Sequence, residues 1–370
     1  MTLSSRRRFL IQSAATVAGA ALGGGILFAN RKWVFGPRRG TLMGGMKILV
    51  DGTLKTYFAI LDLDQSNWEP TYVSIPFFPH GIAFHPKNPS LLSVFEKIGP
   101  GAAELNLKTK RMRIISTSND RYFYGHGAYS KDGSKLFSVE TNTDNHEGVI
   151  AVRDPSSLEQ VDVFPSFGSN PHDCQLIEDG RVLAVTNGGG KFGTPQKACV
   201  TYVDVESRKL LKKFEIEDER LNAGHLFVSG KKELAVVSAP RLGLTDSDSG
   251  AISLKLKEDQ LVRLTEPKEV IQRLKAETLS VCMDQKSGIV AATSPLGNIV
   301  TFWEMATGRL VKSLEIENPR GIALTRDGRH YLISQGGDSN LLAVNTKNLD
   351  IDPSLGLQKS AISGSHLYIR

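Results

Sequence analysis

The sequence predicts an all-β fold, a seven-bladed β-propeller in which strands from the two chain ends complete one blade. A short apolar pattern recurs seven times, with spacings of 46, 46, 53, 53, 42 and 46 residues. Periods of about 40–50 residues are typical of propeller blades that contain four short strands each. Apolar runs of about five residues, bounded by Gly, Asp and Asn, indicate strands throughout, and only Lys268–Ala276 has a helical pattern.

The composition is that of a folded, turn-rich chain. Of the 370 residues, 40% are apolar and 23% are charged, which excludes a disordered chain. Cys174, Cys199 and Cys282 are too few and too dispersed for a disulfide framework or a paired-cysteine site. The net charge of +6 arises in residues 1–40, which hold seven basic residues and no acid. The remainder has 38 basic and 39 acidic residues, so we expect no nucleic-acid partner.

The N-terminal residues have the layout of an export signal. Ser5–Leu10 reads Ser-Arg-Arg-Arg-Phe-Leu and precedes an apolar, small-residue run from Ile11 to Ala29. A cationic segment before an apolar one is typical of secretory signals, and the paired arginines are similar to a twin-arginine signal. We expect residues 1–30 to be a twin-arginine signal peptide or a retained anchor, 31–39 a linker and 40–370 the propeller. This predicts a periplasmic protein, with membrane contact only through a retained N-terminal segment.

Each repeat is expected to supply four strands, in order from the central channel outwards. First strands begin at motifs such as Pro79-His80 and Pro171-His172. Turns of the Asp-Gly type then lead to second strands, among them Val182–Thr186 and His330–Ser334. Polar turns such as Ala306-Thr307-Gly308 separate the third strands from the outer, fourth strands.

The two chain ends predict how the ring closes. Residues 366–370 have the pattern of a first strand with nothing after it. Residues 40–76 carry later strands, Tyr57–Asp62 and Thr71–Ile75, with no first strand before them. The two ends are therefore expected to share one blade, which removes the open sheet edges of an unclosed array.

Five of the eight histidines occupy one position of the repeat. In order along the chain, this position holds His80, His126, His172, His225, Thr278, Arg320 and His366. Because first strands line the channel of a propeller, we expect an arc of imidazoles at its rim. The alternative is a structural hydrogen bond within each blade, as made by the Gly-His pairs of WD-type propellers. This chain lacks the Trp-Asp dipeptide of that network, and two blades lack the histidine.

Clustered imidazoles predict a transition-metal site. Neutral imidazole is the commonest side-chain ligand for metals such as copper, iron and zinc. Because the pattern contains no thiolates, it favours an open, functional site holding copper or iron over structural zinc. Arg320 cannot ligate a cation, but its guanidinium would hold an anionic co-ligand opposite the arc.

Polar residues at the ends of second strands form a candidate outer layer of this site. Glu96, Glu140 and Asn187 occupy equivalent positions, and the carboxylates would orient His80 and His126 or ligate directly. The alternative is that they are ordinary polar residues at the entry to loops.

A resemblance to a known family rests on several motifs of the middle repeats. These are Gly125-His126-Gly127, Glu140-Thr141-Asn142, Pro171-His172 and Thr186-Asn187-Gly188-Gly189. The chain resembles a family of unknown function, whose members are twin-arginine-exported seven-bladed propellers of the WD40/YVTN-like kind. They are often encoded beside imelysin-like and di-haem peroxidase-like proteins in bacterial iron-uptake clusters. The resemblance implies iron or copper handling outside the cytoplasm, with periplasmic iron-uptake proteins as partners.

Three functions are therefore weighed. The first is a metal-binding periplasmic propeller in metal or iron acquisition, with or without catalytic turnover. The second is a lactonase-like propeller enzyme, which would need carboxylates and an oxygen-ligand site rather than imidazoles. The third is a protein-interaction scaffold that binds no metal. The histidine arc favours the first.

Overall fold

The fold is the predicted seven-bladed propeller, with seven four-stranded antiparallel sheets. A computed structural model describes residues 38–257, 260–336, 340–358, 360, 362, 364 and 366–370. The predicted signal peptide at 1–30 and most of the linker at 31–39 lie outside the described residues. Within the described ranges, no helix is both long and apolar enough to cross a membrane.

Each blade runs from an innermost strand at the channel to an outermost strand at the perimeter. The innermost strands of blades I to VII are β4 (Pro79–Phe84), β8 (Arg121–Tyr129), β12 (Pro171–Ile177), β16 (His225–Val228), β20 (Ser280–Asp284), β24 (Pro319–Leu324) and β28 (Tyr368–Ile369). The second strands are β5 (Leu91–Glu96), β9 (Leu136–Asn142), β13 (Val182–Asn187), β17 (Leu234–Ser238), β21 (Ile289–Ser294), β25 (His330–Gln335) and β1 (Thr41–Val50).

The outer half of each blade repeats the same order. The third strands are β6 (Ala102–Asn106), β10 (Glu147–Arg153), β14 (Cys199–Asp204), β18 (Ala251–Lys257), β22 (Ile299–Glu304), β26 (Leu341–Asn345) and β2 (Thr53–Asp62). The outermost strands are β7 (Arg111–Ile114), β11 (Gln160–Ser169), β15 (Leu210–Glu215), β19 (Gln260–Arg263), β23 (Leu310–Glu315), β27 (Ile351–Leu357) and β3 (Thr71–Ser74). The predicted helix is shorter than the sequence pattern suggested, because α1 covers only Lys268–Ile271. A separate 3-10 turn lies in blade III, at Glu178–Gly180.

The ring closes as the sequence predicts. Blade VII combines the C-terminal β28 with the N-terminal β1, β2 and β3. The join is short, because β28 pairs with β1 only through Leu42↔Ile369 and Met43↔Tyr368. Thr41 and Arg370 extend it by exchanging two backbone hydrogen bonds, of 2.8 and 3.0 Å. The closing strand is thus two residues long, rather than the five expected, and His366 lies just before it.

The core lies between neighbouring blades. Phe137 and Val139 of blade II pack with Leu183 and Val185 of blade III in one buried cluster, and similar clusters recur around the ring. Burial of each such side chain contributes about 1.5–3 kcal/mol. Adjacent sheets are therefore held face to face, and the first residues of the innermost strands converge on the channel.

Candidate metal centre

The backbone of the innermost strands is irregular where the histidines lie. The pairing of β4 with β5 shifts register between Pro79 and Gly81, and that of β12 with β13 shifts between Pro171 and Cys174. In blade II the shift lies between Phe123 and Gly127. A bulge of this kind takes a residue out of the ladder and re-aims its side chain. In these three blades, the channel histidine lies within the shifted stretch, so it is released from the ladder.

Glycines let the innermost strands approach closely at this level. A Cβ atom on Gly81 would lie 2.1 Å from the carbonyl oxygen of Gly125 in the next blade. A Cβ atom on Gly125, whose φ is +126°, would lie 2.9 Å from the ring of His172. Only glycine fits both positions without strain. The glycines that accompany the histidines in sequence therefore make room for the rings.

The five histidines form one buried cluster rather than an open arc. We call His80, His126, His172, His225 and His366 the histidine cluster; each is between 4% and 7% exposed. His225 and His366, from the two ends of the expected arc, have ring centroids only 3.9 Å apart. The ring of His80 lies 4.5 to 5.7 Å from each of the other four. The channel is narrow enough at this level for imidazoles from opposite blades to touch.

Four of the five offer nitrogen atoms to one point. His80, His126, His225 and His366 each have a ring nitrogen within 4.8 Å of those of the other three. Four ligands at metal–nitrogen distances of 2.0–2.1 Å in tetrahedral geometry are separated from one another by about 3.3 Å. The nitrogens lie at most about 1.5 Å farther apart than this, so binding of a common ion would draw the four rings together.

His172 stands beside this group with its tautomer fixed by the backbone. Its Nδ1 lies 2.7 Å from the carbonyl oxygen of Tyr124, which can only accept, so Nδ1 carries the proton. Its Nε2 therefore presents a lone pair, 3.3 Å from His80 Nε2 and 3.2 Å from His225 Nε2. A ring N–H donated to a backbone carbonyl is the usual support of a metal-ligating histidine. His172 is thus oriented as a ligand, although it lies outside the group of four.

Asp173 is the carboxylate that the sequence analysis missed. Its Oδ1 lies 3.2 Å from His126 Nδ1, and its Oδ2 lies 3.4 Å from His225 Nδ1. The backbone N–H groups of Cys174 and Leu226 donate to the same carboxylate, at 2.8 and 3.2 Å, and fix its orientation. The available signal in the sequence was its position directly after His172, a histidine of the shared repeat position. Asp173 holds His126 with Nε2 free to ligate.

Several ring nitrogens of the cluster have no hydrogen-bond partner among the described residues. These buried atoms are His126 Nε2, His225 Nδ1 and His366 Nε2. Most buried polar side-chain atoms in proteins are hydrogen-bonded, because burial without a partner costs about 1–3 kcal/mol. Because His225 Nδ1 lies 3.4 Å from the Asp173 carboxylate, the unpartnered nitrogens that a metal ion would satisfy are His126 Nε2 and His366 Nε2.

The cluster is electrically neutral at ordinary pH. Burial holds the pKa of His80, His172, His225 and His366 well below the usual value near 6.5, and mutual repulsion among the rings lowers each further. The pKa of His126 is also lowered by burial, against the opposing effect of the Asp173 carboxylate. Imidazole must be unprotonated to bind a metal, so the site is poised for ligation.

The predicted outer layer of Glu96, Glu140 and Asn187 does not contact the rings, and that prediction was wrong. Glu96 accepts from the Gly101 N–H at 3.0 Å, and Asn187 bonds Ser166 at 2.7 Å and Thr201 at 3.1 Å. Cross-strand partners share one face of a sheet. Glu96 pairs with Pro79 and Asn187 with Pro171, so each lies with the proline rather than with the histidine that follows it.

Glu140 is also occupied elsewhere, in a buried ion pair. Its Oε1 lies 2.7 Å from Arg153 Nη2, and its Oε2 lies 3.3 Å from Arg121 Nη1. Ser138 and Thr117 donate to the same carboxylate at 2.9 and 2.7 Å. The carboxylate is therefore a structural anchor within blade II and not a support for His126.

Thr278 and Arg320 complete the repeat position in the two blades without a histidine. Thr278 is buried, and its hydroxyl has no hydrogen-bond partner among the described residues. Arg320 is the second residue of β24, lies at a register shift like those of the histidines, and is half-buried. Its carbonyl oxygen accepts from the Thr293 hydroxyl at 2.6 Å. The two residues leave one side of the ring without imidazole, and the role of Arg320 in binding an anion stays a prediction.

A cavity of about 180 Å³ adjoins the cluster inside the channel. His126, His225 and His366 line it together with Asp173. A metal held by the cluster would therefore border free space on one side. This is the geometry of an open coordination position rather than of a fully closed structural site.

Known structures share this fold at low sequence identity. Hydrazine synthase of Kuenenia stuttgartiensis aligns with a TM-score of 0.64 and 14% identity, over 88% of this chain and 100% of that chain. A chain of a mitotic checkpoint complex aligns with a TM-score of 0.59 and 12% identity, over 78% of this chain and 82% of that chain. Identities this low establish the propeller architecture alone.

Sequence comparison is more specific. No curated protein matches the chain in sequence. A family profile does match it, over residues 73–358, which include four of the five clustered histidines and exclude His366. Because the match covers most of the propeller, the chain belongs to the family described as "Protein of unknown function (DUF1513)".

Proposed function

We propose that this propeller binds one transition-metal ion, copper or iron, through its histidine cluster, and that it serves metal acquisition outside the cytoplasm. The observation that carries the proposal is the cluster of four buried imidazoles with neighbouring ring nitrogens, in which His126 Nε2 and His366 Nε2 have no hydrogen-bond partner among the described residues. Neutral imidazoles held by Tyr124 and Asp173 supply the donor type and the outer support that such an ion needs. When bound, the ion would supply an electrophilic, redox-capable centre.

The donor set discriminates between the functions weighed above. A lactonase-like site needs an oxygen-ligand cage, whereas the described centre has one carboxylate, Asp173, already occupied by two backbone N–H groups. A scaffold without metal would have no use for a cluster that leaves buried nitrogens unsatisfied. The scaffold function is nevertheless the outcome if no metal binds.

The anionic co-ligand is proposed at Arg320, at the edge of the ring that lacks imidazole. Its guanidinium would balance a carboxylate or oxyanion on the metal. Arg320→Ala should leave the metal content unchanged and weaken binding of the anion. Loss of the metal itself would show that Arg320 supports the histidines instead.

The exported location is proposed from the sequence. Paired guanidinium groups are the recognised feature of the signal, so Arg6→Lys with Arg7→Lys should leave the folded protein in the cytoplasm. Unchanged periplasmic delivery in a strain that lacks only the twin-arginine translocase would contradict this route. A role beside iron-uptake proteins rests on the family resemblance, and co-purification from the periplasm tests it.

Elemental analysis tests the metal directly. Protein exported by its own signal and purified without chelators should contain one copper or iron per chain. His126→Gln with His225→Gln should abolish this content, whereas His146→Asn, at an exposed histidine outside the repeat position, should not. Native protein without stoichiometric metal, and a double variant that folds and functions normally, would favour the scaffold function.

A further inference from the structure

Lys97 lies at the mouth of the channel, on the loop that joins β5 to β6 in blade I. β5 ends at Glu96, which pairs with Pro79 at the start of the innermost strand β4. The loop is fastened to the neighbouring blade, because Gly99 and Phe123 exchange two backbone hydrogen bonds, of 2.9 and 3.2 Å. Lys97 is therefore held at the same end of the channel as the histidine cluster.

The ammonium group of Lys97 acts on the cluster across the boundary between blades. Tyr124, whose carbonyl oxygen holds His172, directly follows the residue to which the Lys97 loop is fastened. Burial is the main cause of the low pKa of three cluster rings, and the positive charge of Lys97 acts in the same direction on each. These rings are His126, His172 and His225. The ammonium is thus close enough to act on an occupant of the cluster.

The charge of Lys97 is available to a ligand. The side chain is exposed, and it forms neither a hydrogen bond nor an ion pair among the described residues. The adjacent acid, Glu96, turns back into its own loop, where its Oε2 accepts from the Gly101 N–H at 3.0 Å. Hydrogen bonds between an ammonium and an anion are about twice as strong as those between neutral groups. An anion at the mouth would therefore find a partner in Lys97.

A metal ion in the cluster would add to this positive charge. Neutral imidazoles donate lone pairs but do not neutralise the ion that they bind. The balance of the loaded site stays positive whether or not Asp173 is ionised, because one carboxylate cannot offset both a divalent ion and an ammonium. The metal and Lys97 therefore favour an occupant of the same kind, a small anion.

This anion would meet the metal at the mouth and not in the cavity that adjoins the cluster. The cavity is lined by residues that follow the histidine position along the innermost strands, such as Ile82 and Leu226. Lys97 is not among its lining residues, and its loop begins beside Pro79, which precedes the histidine position. The cavity and the ammonium thus lie on different sides of the cluster.

We propose that Lys97 holds a small anion, a carboxylate or an oxyanion, on the mouth side of the bound metal. The inference rests on the proposed metal site and adds a residue that binds the co-ligand, from a different blade than Arg320. Lys97 is an anion-binding residue and not a metal ligand, because an ammonium has no lone pair. Its removal should weaken anion binding, whereas the metal should bind equally well or better once a like charge is gone.

Azide binding to the Cu(II)-loaded full chain tests the inference. Copper content and affinity are measured first, and azide is then titrated at low ionic strength, read by its charge-transfer band with copper. Lys97→Gln should weaken azide binding about tenfold at equal copper content, because it removes one nearby charge. Lys97→Arg keeps the charge and should bind azide as wild type does. Lys231→Gln, at an exposed lysine in the turn after β16 at the other end of the channel, is the matched control.

The outcomes separate this inference from the proposed function. Equal azide affinity in wild type and Lys97→Gln, or copper-loaded wild type that binds no azide, would overturn the role of Lys97 and leave the metal site standing. Loss of copper from Lys97→Gln would overturn it too, because Lys97 would then support the histidines. If wild type binds no copper, the same titration is made with Fe(III), which also gives a charge-transfer band with azide. Binding of neither metal would overturn the proposed function and this inference with it.

Discussion

Two buried polar clusters of this propeller differ in whether their acceptor atoms are partnered. In the Glu140 cluster of blade II, the carboxylate meets two guanidinium groups and two hydroxyls, with Glu140 and Arg153 fully buried. In the histidine cluster, His126 Nε2 and His366 Nε2 are buried without a hydrogen-bond partner among the described residues. In the first cluster both carboxylate oxygens of Glu140 are partnered, whereas the second keeps ring nitrogens without a partner.

The comparison shows that burial of polar groups alone does not identify a functional site. Both clusters are buried, but only the histidine cluster has ring nitrogens that are available to bind a metal. A partnered ion pair can stabilise a fold, whereas buried polar atoms without a partner destabilise it until a ligand binds them. We therefore expect changes in the Glu140 cluster to alter folding and changes in the histidine cluster to alter metal binding.

The largest effect on the free energy of unfolding is expected from Glu140→Gln. The substitution leaves Arg153 buried without its counter-charge, which costs about 3–5 kcal/mol when one partner of a buried pair is removed. Chemical denaturation should show this loss in the free energy of unfolding, and Glu140→Gln with Arg153→Met should recover part of it. A loss below about 1 kcal/mol would mean that the ion pair is not the anchor of blade II.

Removal of two of the proposed ligand histidines should lower the metal affinity strongly and the free energy of unfolding only slightly. His126→Gln with His225→Gln should weaken metal binding by more than about 100-fold, because it removes two of the four converging nitrogens. The free energy of unfolding of the metal-free protein should change by only about 1 kcal/mol, since the rings make few hydrogen bonds. Isothermal titration and denaturation of the same samples measure both, and a large stability loss with unchanged metal affinity would reverse the roles of the two clusters.

Asp173→Asn should have an intermediate effect on metal affinity. The residue orients His126, and loss of such outer support typically weakens metal binding 10- to 100-fold. The amide keeps the size of the side chain, so the fold should be retained. The affinity is measured by competition with a chelator of known strength, and an unchanged value would show that the tautomer of His126 is fixed without the carboxylate.

The smallest effect is expected in the pH dependence of the metal-free protein. Burial lowers the pKa of His80 in the folded state, while in the unfolded state it stays near 6.5. Above that pH both states are neutral and stability is complete. As the pH falls below it, the unfolded state binds protons first, and stability declines until the folded pKa is reached. Each such histidine contributes up to about 1.4 kcal/mol per pH unit, so His80→Gln should show a shallower decline.

The control for this pH series is His146→Asn, whose ring is exposed in the wild type. It should reproduce the wild-type decline between about pH 7 and pH 5. If His80→Gln declines as steeply as this control does, then the ring of His80 is not kept neutral by burial.

The fold was largely accessible from the sequence because its period is regular. The seven repeats predicted the blades, and the incomplete repeats at the two ends predicted the closure between β28 and β1. The histidine cluster was equally accessible, since a shared repeat position becomes a shared place around the channel. Long-range periodicity therefore predicted which residues meet.

The parts that failed depend on local backbone geometry that periodicity does not report. Asp173 reaches His126 and His225 because the pairing of β12 with β13 is irregular next to it. Glu96 and Asn187 were misplaced because cross-strand pairing sets them on the face of the preceding proline. Charge complementarity decided Glu140, whose partners Arg121 and Arg153 are not at the repeat position of the histidines.

Anomalous diffraction from crystals of protein purified without chelators tests the central claim most directly. Data collected at the copper and iron absorption edges should show one peak in the channel, about 2.0–2.1 Å from ring nitrogens of the histidine cluster. His80, His126, His225 and His366 are the expected ligands, with His172 close enough to join or replace one of them. A histidine cluster without an anomalous peak, in folded protein purified without chelators, would contradict the account.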